Sequence, residues 1–304
     1  MHDVVIVGGG PAGYAAALYS ARAKLDTLLI EKMFSGGQMA TTNLMENYPG
    51  FEEPIGGPDL ALRMEKQARK FGAVVVNDEV VGMDLEDKIK VIRTTNNSHQ
   101  SRAVILCMGA YPRMLGLPRE EEFRGAGVSY CAVCDGAFFK GREVAVVGGG
   151  DTAAENALYL SRFCPKVYLI HRRNTLRASV SLQEELYNNK KIEFIWNSVV
   201  EEIIGQFGVE AVRLKSLETN ETTVLPVDGL FISIGLLPNT SLVKGKVLLN
   251  DQDYIVTDEN MKTNIPGVYA AGDIRQKILR QVITAASDGA TAAYMAEQYI
   301  LSNG

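Results

Sequence analysis

From Asp3 the chain reads DVVIVGGGPAGYAAALYSARA, and from Glu143 it reads EVAVVGGGDTAAENALYLSRF. In each, a run of apolar, mostly β-branched residues precedes a cluster of glycines. Small and apolar residues then recur at the spacing of one helix face. The pattern predicts a buried strand, a tight glycine turn and a helix, twice over. The first turn spells G-x-G-x-x-G at Gly8, Gly10 and Gly13, with Pro11 and Ala12 between them. The second spells G-x-G-x-x-A at Gly148, Gly150 and Ala153, with Asp151 and Thr152 between. Small residues at these positions permit the tight turn, close approach of a pyrophosphate and close helix–strand packing. One such motif is weak support for a nucleotide site. Two copies at strand–helix junctions are much stronger.

The rest of the pattern sets the layout. A proline- and glycine-bearing stretch, GAYPRMLGLPREEEF, reads as a crossing between units, and a second crossing follows SIGLLPNTSL at 233–242. The segment at 263–300 predicts a short strand, a glycine–aspartate turn and an alanine-rich helix. It is too short to fold alone and must complete the first unit. The expected fold is α/β, with two Rossmann-like nucleotide-binding domains, the second inserted into a discontinuous first. The expected bounds are 1–112 with 245–304 for the first domain and 113–244 for the inserted one.

Composition narrows the function classes. The 304 residues are 46% hydrophobic and 22% charged, ordinary globular proportions for about two domains with real cores. A formal net charge of -5 argues against a nucleic-acid partner, which wants a basic excess. No apolar run approaches the ~18 residues that span a membrane. MHDVVIVGGG enters a strand pattern without a basic and apolar leader. The expectation is a soluble, cytoplasmic protein, in which four cysteines are not a secreted disulfide framework.

The ends of the second strands separate two ligands. DTLLIEK places Glu31 where a carboxylate accepts hydrogen bonds from the ribose hydroxyls of an adenosine, as in FAD or NAD. At the matching place KVYLIHRRNTLR has His171, followed by Arg172, Arg173 and Arg177. A carboxylate there would repel a 2′-phosphate, whereas guanidinium groups bind one. The second site is therefore expected to prefer NADPH to NADH.

A third signal is SYCAVCDGAFF, with Cys131 and Cys134 in CxxC spacing and Asp135 beside them. Such a pair can bind metal, brace the fold or carry electrons. A zinc site needs four ligands. Neither Cys107 nor Cys164 supplies a second CxxC, and His2, His99 and His171 are scattered, so no metal is expected. A CxxC at a turn into a helix should have a lowered thiol pKa, and Asp135 is suited to move a proton as a general acid/base. Cys107 and Cys164 sit in apolar surroundings and read as inert core thiols.

With both glycine units, HRRxxxR and CAVCDG in this order, the chain resembles the low-molecular-weight, bacterial-type thioredoxin reductases over essentially its whole length. GGQMATT, ENYPGF, AAGDI and RQVITAASDG add to the match. The resemblance implies an NADPH-dependent thioredoxin-disulfide reductase, a flavoprotein and homodimer. Electrons would pass from NADPH through FAD and the Cys131/Cys134 disulfide to thioredoxin or a thioredoxin-like protein. It implies that Cys134 faces the flavin and Cys131 is the interchange thiol. Gly37, Gln38, Asn47, Gly109, Gly272, Asp273, Arg280 and Gln281 would join the first glycine turn and Glu31 around FAD. Domain rotation would present nicotinamide and disulfide to the flavin in turn, with hinges near Pro112–Arg113 and Leu242–Lys244. Two departures stand out: LCMGA, where relatives carry Ala-Thr-Gly, and Ala137, where some relatives carry an aromatic residue.

Other readings share part of this pattern. The flavin reductase of a peroxidase carries an N-terminal pair of thioredoxin-like units that these residues do not contain. Dithiol oxidases and ferredoxin-linked reductases of similar fold lack HRRxxxR, and an NADPH:ferredoxin reductase lacks CxxC. A redox-sensing nucleotide-binding protein would not need an intact CxxCDG.

Overall fold

The computed structural model describes residues 1–32, 35–42 and 44–303. The chain forms two compact units, Met1–Tyr111 with Leu237–Gly304, and Pro112–Leu236.

The first unit begins with β1 (His2–Val7), α1 (Pro11–Arg22), β2 (Thr27–Glu31), α2 (Gly57–Lys70) and β3 (Val74–Asn77). An antiparallel excursion follows through β4 (Val80–Asp84), β5 (Lys90–Thr94) and β6 (Ser98–Leu106). Its sheet order is β3-β2-β1-β6-β5-β4. β6 is long enough to serve two neighbours along one edge. Its first residues pair antiparallel with β5, and Val104–Leu106 pair parallel with a strand from the far end of the chain.

A short strand, β7 (Ala110–Pro112), leads out of the first unit. The inserted unit then runs through β8 (Val128–Ser129), α3 (Ala132–Asp135), β9 (Glu143–Gly148), α4 (Asp151–Leu160), β10 (Lys166–Ile170), α5 (Val180–Asn188) and β11 (Ile192–Ile195). β12 (Ser198–Ile204), β13 (Ala211–Ser216) and β14 (Thr222–Pro226) form an antiparallel meander, and β15 (Gly229–Ser233) returns to the parallel sheet, ordered β11-β10-β9-β15-β8. The chain leaves through β16 (Leu236–Pro238), the pairing partner of β7. It ends with β17 (Val268–Ala270) beside β6, and α6 (Val282–Ser302).

The two predicted repeats fold alike, because their central strands are apolar on both faces. In β1, Val4 and Ile6 pack under α1 and α6, while Val5 and Val7 face a second core with Leu28, Ile30, Met83 and Ile92. In β9, Val144 and Val146 pack beneath α4 with Leu160, Leu169 and Phe231, while Ala145 and Val147 face the meander through Val200, Ile203 and Val212.

The second division lies earlier than the expected 244/245. Residues 237–244 belong with the first unit, because Val243, fully buried, packs with Val5, Leu28 and Ile255. The apolar residues after SIGLLP are thus core of the first unit rather than linker.

Candidate functional site

The first glycine turn joins β1 to α1. Gly8 has φ of +106°, a left-handed conformation that a side chain disfavours. A Cβ on Gly13 would lie 1.8 Å from the Gly8 carbonyl oxygen, so the helix can approach the strand this closely only without one. Gly10, the residue before α1, is different: nothing lies within 4 Å of where its side chain would project. That open face is where a pyrophosphate can meet the backbone. Glu31, at the end of β2, accepts a hydrogen bond from Gly9 N–H at 2.5 Å and so stands over the turn.

Residues remote in sequence assemble here. The Gly37–Thr41 turn brings Gly37 against Gly10, with 3.5 Å between a Cβ on Gly37 and the Gly10 Cα. A Cβ on Gly272 would come within 2.9 Å of the Ala12 side chain. Asn47 Nδ2 donates to Gln281 Oε1 at 3.0 Å, next to the start of α6. Gly109 accepts a hydrogen bond from Asn239 N–H through its carbonyl. Pro11 occupies the first turn of α1, where its missing N–H costs nothing. Gln38, exposed, sits in the turn beginning at Gly37.

Two polar atoms of this region are buried and unpartnered, Asp273 Oδ1 and Arg280 Nε. Burial pushes the Asp273 carboxyl up, against the pull of Lys277 and Arg280. The Arg280 guanidinium lies 4.3 Å above the Tyr254 ring. Buried polar atoms without partners are rare, and a ligand with hydroxyl and phosphate groups would satisfy both.

Sequence reasoning missed the residue that organises this corner. Asp288, on α6, accepts hydrogen bonds from Gly272 N–H (3.1 Å), Arg275 Nε (2.9 Å) and Lys277 Nζ (2.8 Å). The signals are a lone acid in the alanine-rich TAASDGATAA and its place in the matching segment RQVITAASDG, neither of which assigns it a role. Of the departures near this site, the Cys107 carbonyl backs Gly8, and burial and Asp288 push the buried Cys107 thiol far up.

The second glycine turn, between β9 and α4, is built alike. Gly150 faces open space, as Gly10 does. Where Glu31 stands over the first turn, His171 packs against Gly149, and a Cβ there would fall 2.2 Å from the ring. The imidazole is buried with an edge toward Trp196, and its Nε2 has no partner. Burial first, then the charges of Arg177, Arg172 and Arg173, hold its pKa below the usual histidine value. Arg177 N–H donates to the Gly149 carbonyl at 2.6 Å, tying the basic loop to the turn. The side chains of Arg172, Arg173 and Arg177 are exposed, and among the described residues no carboxylate pairs with them. Asp151 accepts from Ser179 N–H at 2.7 Å, and Thr152 is exposed beside it.

The cysteine pair lies in the same inserted unit. Cys131 and Cys134 form a disulfide with 5.3 Å between Cα atoms. The helix they enter, α3, has only four residues, so its N–H groups act locally: Cys134 N–H points at the Cys131 sulfur, 3.2 Å away. Asp135 receives a hydrogen bond from the Ser129 hydroxyl at 2.6 Å, and burial pushes its carboxyl above the ordinary aspartate value. Upstream, the buried Glu120 carboxylate accepts from Leu115, Gly116 and Leu117 N–H and from the Tyr130 hydroxyl, fixing the residue before Cys131. Cys164 is buried, and its thiol is pushed up to about 11. Among the described residues no cluster of metal-ligating side chains is present.

Comparison with known proteins agrees with this geometry. The family model of the pyridine nucleotide-disulphide oxidoreductases matches residues 2–289. A thioredoxin reductase of Peptoclostridium acidaminophilum is 51% identical, covering 100% of this chain and 98% of that protein. One from Bacillus subtilis (strain 168) is 46% identical, covering 99% and 95%. The crystal structure of thioredoxin reductase from Streptococcus pyogenes MGAS5005 superposes with a TM-score of 0.94 at 44% identity, covering 99% of each chain.

Proposed function

Because the chain belongs to the pyridine nucleotide-disulphide oxidoreductases and, among them, to the thioredoxin reductases, we propose that it carries electrons from NADPH through FAD and the Cys131–Cys134 disulfide to thioredoxin. It is a thioredoxin-disulfide reductase, a flavoprotein that uses a pyridine nucleotide. The observation that carries the reading is a CxxC disulfide with Asp135 beside it, in the unit that also holds an arginine-flanked glycine turn.

In this reading the first unit holds FAD and the inserted unit NADPH. Gly8, Gly10 and Gly13 receive the FAD pyrophosphate, Glu31 the ribose hydroxyls, and Asp273 and Arg280 supply the two unpartnered atoms. Arg172, Arg173 and Arg177 give the unpaired guanidinium groups that a 2′-phosphate needs, which favours NADPH over NADH. When bound there, FAD would supply the two-electron chemistry that links a hydride donor to a disulfide.

The chain's own residues handle sulfur and protons. Cys131 attacks one sulfur of oxidised thioredoxin, and the substrate S–S bond breaks. Asp135, half-buried and raised in pKa, holds the proton that moves between the Cys131 thiol and the departing sulfur. Cys134 then attacks Cys131, restoring the enzyme disulfide and releasing reduced thioredoxin. A homodimer and a cytoplasmic setting complete the reading. Among the described residues no helix is long and apolar enough to cross a membrane.

The test uses single serine variants. Cys131→Ser and Cys134→Ser should each abolish NADPH-dependent thioredoxin reduction while NADPH still bleaches the flavin. Only Cys134→Ser should hold thioredoxin as a stable mixed disulfide, because nothing remains to resolve it. Turnover of thioredoxin by either variant removes the pair from the reaction.

A further inference from the structure

Ser129 is the last residue of β8, almost fully buried, two positions before Cys131. Its hydroxyl is placed between two groups of the redox loop. The oxygen accepts the Cys131 N–H at 3.1 Å, and the hydroxyl reaches Asp135 Oδ2 at 2.6 Å. The Cys131 carbonyl is a competing acceptor, at the longer 3.4 Å. A hydroxyl has a single proton to donate, and the short contact to a carboxylate is the stronger claim on it. The strand fixes the serine in turn, since β8 pairs with β15 through Val128–Leu230 and Ser129–Phe231.

We propose that Ser129 is the positioning residue for proton transfer in disulfide exchange, holding the Asp135 carboxylate beside the sulfur of Cys131 through one shared hydroxyl. This rests on the reading of Asp135 as the acid/base. In the exchange, a bond forms between the Cys131 sulfur and one thioredoxin sulfur. The substrate S–S bond breaks with its electron pair on the leaving sulfur, and that sulfur takes the proton Asp135 accepted from the Cys131 thiol. Attack by Cys134, with its own proton passing to the second thioredoxin sulfur, completes the transfer of two electrons and two protons. For such a relay the carboxylate must keep one orientation while its proton comes and goes. A bond from Ser129 to Oδ2 leaves Oδ1 to take up and give back the proton, and the same hydroxyl fixes the backbone of the attacking cysteine.

Among the described residues, Ser129 and Arg124 are the side chains that move the Asp135 pKa besides burial. Arg124 is the charged one, drawing its pKa down against the larger effect of burial. On the α4 side, the Leu160 side chain and the Tyr159 ring pack on the adjoining Gly136. The Ser129 hydroxyl is the neutral side-chain donor that acts on the carboxylate among the described residues. Its removal should raise the Asp135 pKa further, because a hydrogen bond to the charged form favours that form.

The experiment is a pH profile. Holoenzyme reduced by two electron equivalents is mixed with oxidised thioredoxin, and the single-turnover rate of substrate thiol formation is followed from acid to alkaline pH. In the unaltered enzyme the acid limb reports Asp135, and Asp135→Asn should erase it. In Ser129→Ala the limb should move to higher pH by about one unit. Threonine, which keeps the hydroxyl, should restore it, and Ser129→Val, its apolar twin, should not. Both contrasts are read at equal flavin content, so the isosteric threonine–valine pair decides the matter should the alanine variant fold badly. A limb unmoved in Ser129→Ala and Ser129→Val, with Asp135→Asn still erasing it, overturns the role of Ser129 and leaves that of Asp135 standing. A uniform loss of rate at unchanged limb position overturns it equally, marking Ser129 as structural. A limb that survives Asp135→Asn overturns the acid/base reading and this inference together.

Discussion

Replacing Asp288 tests whether one buried carboxylate organises the flavin corner. The side chains of Asp288 and Lys277 are 9% and 7% exposed, and that of Arg275 is 15% exposed, so the cluster is a buried ion network rather than a surface pair. Removing one partner from such a network costs about 3–5 kcal/mol, because an unpaired charge stays behind. In Asp288→Ala, Arg275 keeps Thr257 Oγ1 at 3.1 Å and the Gln276 carbonyl at 3.2 Å. Lys277 can extend toward solvent, so the low end, about 3 kcal/mol, is expected. Asp288→Asn leaves an oxygen for the Gly272 N–H and should lose only about 1.5–3 kcal/mol, the worth of a charged hydrogen bond. The assay is urea unfolding followed by flavin release, with the FAD dissociation constant measured separately on refolded apoprotein. Flavin release is the right signal because a two-unit chain need not unfold in a single step. The Gly272–Lys277 turn loses its anchor in Asp288→Ala and keeps only the Gly272 N–H bond in Asp288→Asn, so FAD should bind more weakly in both, and most weakly in the alanine variant. Lys277→Met in the Asp288→Asn background should recover part of the loss by removing the stranded charge. An Asp288→Ala protein within about 0.5 kcal/mol of the parent, the range of a solvated surface pair, with unchanged FAD affinity, would refute the reasoning.

Further outcomes follow from the inserted unit and the free thiols. Arg172→Ala or Arg173→Ala should weaken NADPH by about tenfold or more and NADH little, since each guanidinium–phosphate contact is worth on the order of 1.5–3 kcal/mol; equal losses for both nucleotides in a titration would reduce the arginines to a solvated face. Of four cysteines, only Cys131 and Cys134 should react with a thiol reagent in the native, reduced protein at neutral pH, because burial keeps Cys107 and Cys164 protonated; rapid labelling of either buried thiol would contradict its placement. His171 is neutral in the folded state at a pH where the unfolded chain would be protonated, so the inserted unit should lose stability as pH falls below about 6.5. The single tryptophan, Trp196, lies against His171 and reports that transition, and His171→Gln should flatten it.

The repeats were legible because strand, glycine turn and alanine-rich helix are local patterns, each written in fewer than thirty residues. Glu31, His171 and the arginines could be placed by counting from the glycines, since the helix between them fixes the distance. What the sequence hid is long-range. Ser129 and Glu120 look like ordinary loop residues until β8 and the preceding turn bring them to Asp135 and Tyr130. Asp288 belongs to a helix whose other buried residues are alanine and glycine apart from Ile300, and only the return of β17 to β6 places it under the Gly272 turn. The second division was misplaced for a related reason. Leu242 and Val243 carry no signal of which core they join, and packing alone assigns them to the first.

Two copies of one turn can serve different nucleotides because the backbone and the strand-end side chain do separate work. The backbone at Gly10 and at Gly150 offers the same open face, suited to any pyrophosphate. Selection falls to what stands over it. Glu31 bonds Gly9 N–H and brings a negative charge toward the ribose edge. At about 4 Å a phosphate facing that charge would be repelled by about 4 kcal/mol at a surface dielectric near 20, and by about 1 kcal/mol in open water. His171 fills the equivalent space with a neutral ring, so the repulsion is absent, and under the proposed reading the exposed arginines would supply attraction in its place. A protonated imidazole would add still more attraction but would sit buried without a counter-ion. Burial beside three guanidinium groups prevents that, and under the proposed reading it would leave selection to side chains that can move to meet the phosphate.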